Sequence, residues 1–370
     1  MKTKIRITVS FLLLFCLSRL VAQDNTNGSL SGTNKMLIMG NAESVFTMDS
    51  SSANFTDVNF KPIFLWSMTD KLFVEAETEI ETGEGEASLG LEYANMCYMA
   101  NKYMTFHAGR FLQKFGAYRG RNGEAFINRI PTHPVGSGDG GIGAMNEVGI
   151  GVQGGLPFGS MKVNYDFYIA DGIQLLTDSA NAGQFEYEAY TDNNKNKCIG
   201  GRIGILPFSN SCMELGWSFE RDNKTGEVGT DFENVGASMM AVDGSFFHKI
   251  SPLKGTFRLG GEYKNQSVDQ LAVSGDSAGY FAFKNYSSCY YIGASFRPDH
   301  LQNKFFRNLE LASRYSSFTP PTNAPWGGDA VSQTAISLDY WFKWTTLLKF
   351  CYQVQTGEPN QFIAQCVFGF

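Results

Sequence analysis

Five basic residues fall close together in the middle of this 370-residue chain, and they could contact an anionic solute. They are Arg110, Lys114, Arg119, Arg121 and Arg129. The segment 111–145 that holds most of them contains only two acids, Glu124 and Asp139. Arginine suits phosphate or carboxylate because its guanidinium forms two parallel hydrogen bonds with either group. In a narrow, low-dielectric passage such a cluster would attract anions, whereas on a solvated external loop it would contact only water.

Four glutamates, Glu75, Glu77, Glu79 and Glu81, occupy every second position of a second stretch. This period of two places all four carboxylates on one face of a β-strand, with Leu72 to Ile80 supplying the apolar face. If that polar face lines a water-filled lumen, the glutamates form a carboxylate ladder opposite the basic segment. The resulting transverse field would orient dipolar solutes without absolute charge selection. The alternative is that each glutamate is simply solvated.

Catalytic, metal and cofactor chemistry find little support in the sequence. Ser277 lies in a G-x-S-x-G match at Gly275–Gly279, but the flanking segments do not form the strand–turn–helix that a nucleophile elbow needs. The six cysteines beyond residue 22 include no C-x-x-C pair and have no histidine nearby. We therefore predict no enzyme, no metal and no cofactor. An enzymatic barrel remains the distant alternative, testable by mutating Ser277.

About sixteen segments with alternating apolar and polar residues follow Lys35 and are predicted to be strands. They span 35–48, 57–67, 71–81, 87–98, 102–110, 146–156, 160–171, 198–206, 211–221, 233–247, 255–267, 284–297, 308–317, 333–343, 347–355 and 361–370. Short turns alternate with longer loops at 111–145, 172–197, 222–232, 268–283 and 318–332. The exception is 298–307, which is long where a short turn is expected.

The first residues are predicted to be an export signal. Lys2, Lys4 and Arg6 precede a short apolar core, and Ala22 offers a cleavage point, so 1–22 is interpreted as a signal peptide and 23–34 as a short polar segment. Removal of the signal peptide leaves 26 basic against 36 acidic residues. The resulting net charge of −10 argues against nucleic acid as a partner. Beyond residue 22, no run of apolar residues is long enough for a membrane-spanning helix.

The strand pattern favours an all-β transmembrane barrel over a soluble sandwich. The apolar faces are too many to fill one core, and the opposite faces are too charged. In an outer-membrane barrel, lipid covers the apolar faces and water meets the charged faces. Closure of the barrel leaves no strand edge unpaired. Residues 35–370 are therefore predicted to form an antiparallel barrel of about sixteen strands in a bacterial outer membrane. The apolar alternation that ends at Phe370 resembles the closing strand of such barrels, whose terminal aromatic is read by the insertion machinery.

Three runs resemble the phosphate-selective porin O/P-like family of outer-membrane porins. They are GRFLQKFG at 109–116, AFINRIPTHP at 125–134 and NEVGIGVQGGLPFG at 146–159. Lys114-Phe115-Gly116 stands where the family has a Pro-Phe-Gly corner, and two extra residues interrupt the Glu-x-Gly-x-Gln pattern that begins at Glu147. The resemblance implies a passive channel biased towards anions, with 111–145 as the loop that narrows it. The repeated arginines expected of a dedicated phosphate pore are not visible.

From these features we expect passive diffusion of small hydrophilic solutes, with a preference for anions such as phosphate. Loop 111–145 would form the constriction and the five basic residues would contact the solute. The expected partners are outer-membrane lipid, the insertion machinery and, from the resemblance, two further copies in a homotrimer. The main alternative is a closed structural or interaction barrel whose loops fill the lumen.

Overall fold

The computed structural model describes residues 35–83, 86–138, 140–178, 181, 183–186, 188–275, 279–283, 286–321, 324 and 328–370. The predicted signal peptide 1–22, the segment 23–34, Asp139 and Ser277 lie outside the described residues. Among the described residues, no helix is long and apolar enough to cross a membrane.

Eighteen strands are present in the described part of the chain. The first nine are β1 (Lys35–Met48), β2 (Ala53–Ser67), β3 (Leu72–Gly83), β4 (Glu86–Asn101), β5 (Met104–Leu112), β6 (Asn146–Phe158), β7 (Met161–Ala170), β8 (Cys198–Leu206) and β9 (Met213–Asp222). The others are β10 (Ala237–Ile250), β11 (Gly255–Val268), β12 (Leu271–Gly275), β13 (Gly279–Phe283), β14 (Tyr286–Arg297), β15 (Leu309–Thr319), β16 (Val331–Lys343), β17 (Thr346–Gln355) and β18 (Gln361–Gly369).

Sixteen of these strands close into one antiparallel barrel. Each barrel strand pairs with its neighbours along the chain, and β1 pairs with β18 to complete the ring. The predicted all-β barrel of about sixteen strands is confirmed. Strands β12 and β13 were not predicted; they pair only with each other, in the connection between β11 and β14.

Strand β16 shows how the barrel inverts the burial of a soluble protein. Ile336, Leu338 and Phe342 are exposed on the outer face, whereas Ser337 and Asp339 on the inner face are completely buried. A closed sheet with apolar side chains outside and polar ones inside matches a wall between lipid and an internal space. The alternation that predicted the strands is therefore the alternation between these two environments.

The C-terminal strand closes the ring as its sequence predicted. β18 pairs with β1 from Met48↔Phe362 to Asn41↔Gly369. Beyond the strand, the Phe370 amide donates to the Gly40 carbonyl at 3.0 Å, and the Phe370 ring stacks on Phe60 with 5.4 Å between centroids.

The long connections all leave the barrel at one end. They are 113–145, 171–197, 223–236, 269–285 and 320–330. We call this end the external end. The first residue of β1 and the last residue of β18 lie at the opposite end. The opposite end has short turns, except for 298–308, which holds the four-residue helix α1 (Lys304–Arg307). The sequence had singled out this connection as unusually long.

Candidate functional site

Loop 113–145, called the inner loop below, crosses the inside of the barrel. Gly116 donates from its amide to the Ser218 hydroxyl of β9 at 3.0 Å. Elsewhere in the loop, Glu124 accepts a hydrogen bond from Asn41 of β1 at 2.9 Å, and the Ala125 carbonyl accepts one from the Lys349 ammonium of β17 at 2.6 Å. Since β9 lies far from β1 and β17 around the ring, the loop spans the lumen.

A glycine corner turns the inner loop onto β11. Gly116 has φ +74°, a conformation that L side chains rarely adopt, and a Cβ there would lie 2.6 Å from the Glu262 carboxylate. The turn aims the amides of Ala117 and Tyr118 at Glu262, to which they donate at 2.5 and 2.9 Å. Hydrogen bonds to an ionised acceptor are among the stronger ones, so this contact fixes the depth of the loop.

An apolar cluster holds the loop against the external half of β10, β11 and β14. Phe115 and Ile142 of the inner loop pack with Met239, Val268 and Cys289, which face inwards from these three strands. The cluster also includes Ile173, Leu175, Phe185 and Val235 from the two following external loops. This part of the lumen is therefore filled with packed side chains rather than water.

On the side of β1–β4, little free space separates the inner loop from the polar face of β3, which we call the glutamate wall. A cavity of about 80 Å³ separates them, and Glu77 is 4% exposed. Glu79 pairs with Lys61 at 2.7 Å, and Asn95 donates to Glu75 at 3.4 Å. Arg119 from the loop also lines this cavity. Burial and the neighbouring carboxylate of Glu43 raise the pKa of Glu124, although Lys61 opposes them.

On the side of β5–β9, the loop leaves a larger opening. A cavity of about 420 Å³ lies between the two, and we call it the wide passage. It is lined by Thr105, Gln113, Lys114, Gly116, Gly120, Arg121, Gln153, Gly154, Asn164, Tyr165, Asp166 and Arg202. Asp166 is the single acid in this lining, against three basic side chains.

The basic groups of the wide passage differ in how they are paired. Arg121 is paired with Glu214 at 2.5 Å, yet 44% of its side chain is exposed. Arg202 is buried and held by Asp243 at 2.6 Å and Glu214 at 3.0 Å. Lys114 makes no ion pair with any residue that the structure describes. Lys114 and Arg121 therefore both line the wide passage, while Glu214 is paired with Arg121 and Asp243 with Arg202.

A third opening of about 230 Å³ lies between the loop and strands β10–β15. Arg129 of the loop and Arg258 of β11 share one acid, Glu310, at 3.3 and 3.4 Å. Nearby, Arg314 is buried and donates to neutral oxygens of Thr132 and His133 at 2.6 and 2.9 Å. This side of the lumen therefore has an excess of arginine, whereas the β1–β4 side has an excess of glutamate.

Arg110 stands apart from the other four predicted contact residues. By the alternation of β5 it lies on the outward face with Phe106, not on the inward face with His107 and Phe111. Its guanidinium donates to the carbonyls of Leu91 and Glu92 at 3.2 Å each, and also to that of Ala189. Tyr190 covers it, 3.9 Å from the guanidinium carbon to the ring centroid. Arg110 thus connects loop 171–197 to β4.

The structure divides the predicted cluster among different surroundings. Arg119 lies towards the glutamates, Lys114 and Arg121 towards the wide passage, and Arg129 towards the arginine-rich side. Sequence reasoning missed that Glu214 pairs with Arg121, Glu310 with Arg129, and Asp243 with the neighbouring Arg202. The period of two in β9, β10 and β15 would have placed all three inwards.

Comparison with known proteins identifies the fold. No protein-family description matches the chain, and no curated protein sequence matches it either. Solved structures do match over nearly the whole chain. Salmonella typhi OmpF in complex with daunomycin has a TM-score of 0.59 at 12% identity, covering 91% of this chain and 98% of that one.

Two further solved structures match equally widely. The outer-membrane channel DcaP of Acinetobacter baumannii has a TM-score of 0.58 at 13% identity, covering 92% of this chain and 100% of that one. An anion-selective porin from Comamonas acidovorans has a TM-score of 0.53 at 13% identity, covering 91% and 100%. At these identities the likeness concerns the fold. Together with the apolar outer wall, it shows a sixteen-stranded barrel of the outer-membrane porin fold, built to lie in the outer membrane.

Proposed function

We propose that the protein is a porin through which small polar solutes diffuse passively, with a preference for anions. The wide passage carries this proposal, because the inner loop crosses the lumen there without filling it. Its lining is mostly polar, and it lies inside a closed wall whose apolar face meets lipid. No energy source is needed for diffusion along such a passage.

The preference for anions follows from which charges the passage exposes. Lys114, which has no ion pair among the described residues, and the half-exposed Arg121 line the passage, whereas Glu214 and Asp243 are directed at arginines. Charges inside a narrow opening with low-dielectric walls act on passing ions more strongly than charges in open water. We assign the solute contacts to Lys114 and Arg121, with Arg129 and Arg119 on separate sides of the loop. Arg110 is left out because its guanidinium is covered.

The preference is general rather than a dedicated phosphate site. A built phosphate site would present several guanidinium groups with free donors to one point. In this lumen Arg121, Arg129, Arg202 and Arg258 are all engaged by carboxylates. We expect phosphate to pass as one small anion among others, without a tight binding step.

The second candidate function is a closed barrel that acts as a structural or interaction protein. The apolar cluster of Phe115, Ile142 and their neighbours favours it, because packed side chains block water. That cluster lies against β10, β11 and β14, however, and the wide passage lies against β5–β9. The two candidates differ in one measurable property, which is ion conductance.

Single-channel recording of the purified barrel in planar bilayers tests the proposal. Under a salt gradient we expect steady conductance with a reversal potential that favours anions. The double variant Lys114→Glu/Arg121→Glu should turn this preference towards cations. The matched control Lys71→Glu/Lys102→Glu makes the same charge change in short turns and should keep the anion preference. A folded, inserted barrel without conductance would instead establish the closed structural role.

Three partners belong to the same proposal. Lipid would contact the apolar wall, the insertion machinery would read the C-terminal strand that ends at Phe370, and three copies would assemble side by side. Native mass spectrometry in detergent measures the last of these directly. We further propose that the barrel catalyses no reaction.

A further inference from the structure

Three side chains of types that bind metal ions converge on the inner face of the barrel wall, beside the start of the inner loop. Glu147 is the second residue of β6, Cys198 is the first residue of β8, and Glu220 lies near the end of β9. Their ligand atoms all lie within 4.8 Å of one another. The side chains are 3%, 0% and 2% exposed, respectively. We call this group the thiol–carboxylate cluster.

No cation neutralises the cluster within the described residues. Neither glutamate has an ion pair with a lysine, arginine or histidine in the part of the chain that the structure describes. Asp222, on the same inward face of β9, adds a third buried carboxylate. Buried charges in proteins are normally paired or bound to a metal, because an isolated charge loses its hydration without compensation.

The hydrogen bonds around the cluster leave two ligand atoms free. Glu220 uses Oε2 to accept from the Tyr168 hydroxyl and, at 2.8 Å, from Gln113. Its Oε1 has no partner, and neither does Oε1 of Glu147, although both side chains are almost completely buried. These free, buried oxygens beside the Cys198 sulfur are a second observation that points to a missing ligand.

We propose that Glu147, Cys198 and Glu220 bind one divalent zinc-like cation. Zn²⁺ accepts one thiolate and two carboxylates and holds them tetrahedrally, with a fourth position open to water. Its bonds of about 2.0–2.3 Å place such ligands roughly 3.5 Å apart, a separation that small side-chain rotations reach from the present arrangement. On binding, the Cys198 sulfur forms a bond to zinc and its proton passes to the buffer. Ca²⁺ and Mg²⁺ suit the cluster poorly because they require more oxygen ligands and no sulfur.

The position of the cluster gives the metal a role in holding the inner loop. Glu147 follows the point where the inner loop returns to the wall, and Cys198 follows the end of loop 171–197. Glu220 already contacts Gln113 at the start of the inner loop. A metal would therefore link the bases of both loops to β9 and stabilise them against displacement.

Metal titration of the full barrel, refolded in detergent and stripped with a chelator, tests the proposal. Zn²⁺ should bind one per chain and raise the melting temperature, because a ligand that binds only the folded state stabilises it. Co²⁺ should bind at the same site and give a sulfur-to-cobalt charge-transfer band in the near ultraviolet. Ca²⁺ at the same concentration should do neither.

Substitutions assign the ligands. Cys198→Ser should abolish the cobalt band and weaken Zn²⁺ binding at least tenfold, and Glu147→Gln should weaken it similarly while keeping the band. The matched control Cys351→Ser removes another completely buried thiol, on β17, and should change neither property. Tyr168→Phe, which loses only the hydrogen bond to Glu220, should weaken binding by about 10-fold, as for other supporting contacts at metal sites.

Two results would overturn the proposal. The first is Zn²⁺ affinity that is unchanged in both Cys198→Ser and Glu147→Gln, and the second is a cobalt form without the charge-transfer band. Heat-modifiable migration in gels confirms folding of each variant, and Glu147→Gln decides the question if Cys198→Ser does not fold. Channel recordings are independent of either result, so failure of the metal site would leave the porin proposal standing.

Discussion

The two sides of the inner loop differ in how their charges are used. Towards β1–β4 the loop faces the acids Glu43, Glu77 and Glu92 across a space of about 80 Å³. Towards β5–β9 it faces few acids across about 420 Å³, and Lys114 and Arg121 of the loop line this space. The glutamate side has more charge, yet much of it is occupied by Lys61, Asn95 and the loop itself.

The number of charges on a wall does not by itself decide which ions pass along it. A passing ion responds to groups that are accessible from a continuous water path, and the glutamate side offers little such path. Selectivity should therefore follow Lys114 and Arg121, the two cations of the inner loop that line the wide passage.

Filling the wide passage should reduce the current most. Gly120 lines this passage, and nothing lies within 4 Å of the position where its Cβ would be. Gly120→Trp should therefore project an indole into the water path and lower single-channel conductance several-fold. Gly138→Trp is the matched control, because Gly138 also has open space at its Cβ position but does not line the passage. Equal conductance of the two variants would contradict the assigned path.

Acidification should act through the glutamate side. The pKa of Glu124 is raised by burial and by nearby carboxylates, so this group takes up its proton at a higher pH than an ordinary glutamate. As the pH falls below neutral, loss of this negative charge should therefore begin earlier than for an ordinary glutamate and move the reversal potential further towards anions. Glu124→Gln should lose part of that shift, whereas Glu358→Gln in an external turn should keep it. An identical pH response of the wild type and both variants would show that Glu124 does not cause the shift.

Neutralising an exposed glutamate of the wall should have only a small effect. Glu81 lies near the external end of β3, away from the wide passage. Glu81→Gln should leave conductance unchanged and shift the reversal potential much less than Lys114→Gln does. A larger shift for Glu81→Gln would mean that ions follow the glutamate side, and the comparison between the two sides would then be reversed.

Removing Arg110 should change stability rather than current. Arg110→Gln loses hydrogen bonds to three backbone carbonyls and the stacking on Tyr190. The expected cost is about 1–3 kcal/mol in the free energy of unfolding, because buried acceptors lose their donor. Denaturant titration in detergent measures it, and bilayer recording should show unchanged selectivity. A change in selectivity without loss of stability would return Arg110 to the solute contacts.

The sequence predicted the barrel well because lipid imposes a regular pattern on every strand. Ile336, Leu338 and Phe342 must face lipid, so their spacing shows both the strand and its orientation. The same rule extends to single residues. It would have placed Arg110 on the outward face with Phe106, had the alternation of β5 been followed to its last residues.

The path of the inner loop could not be predicted because no local period governs it. Its depth depends on Gly116, Ala117 and Tyr118 meeting Glu262, a residue far along the chain. Which side of the lumen each basic residue of the loop faces likewise depends on acids of distant strands, such as Glu214 and Glu310. A count of basic residues in the loop agrees with the mostly basic charged lining of the wide passage but cannot tell which cations are neutralised.

Thiol modification of Gly120→Cys during single-channel recording tests the central claim most directly. A negatively charged methanethiosulfonate reagent should block current through this variant, while the wild type and Gly138→Cys should keep theirs. Mass spectrometry confirms that each introduced thiol has reacted. Full current through labelled Gly120→Cys would show that solutes do not pass between the inner loop and β5–β9, and the proposed path would be wrong.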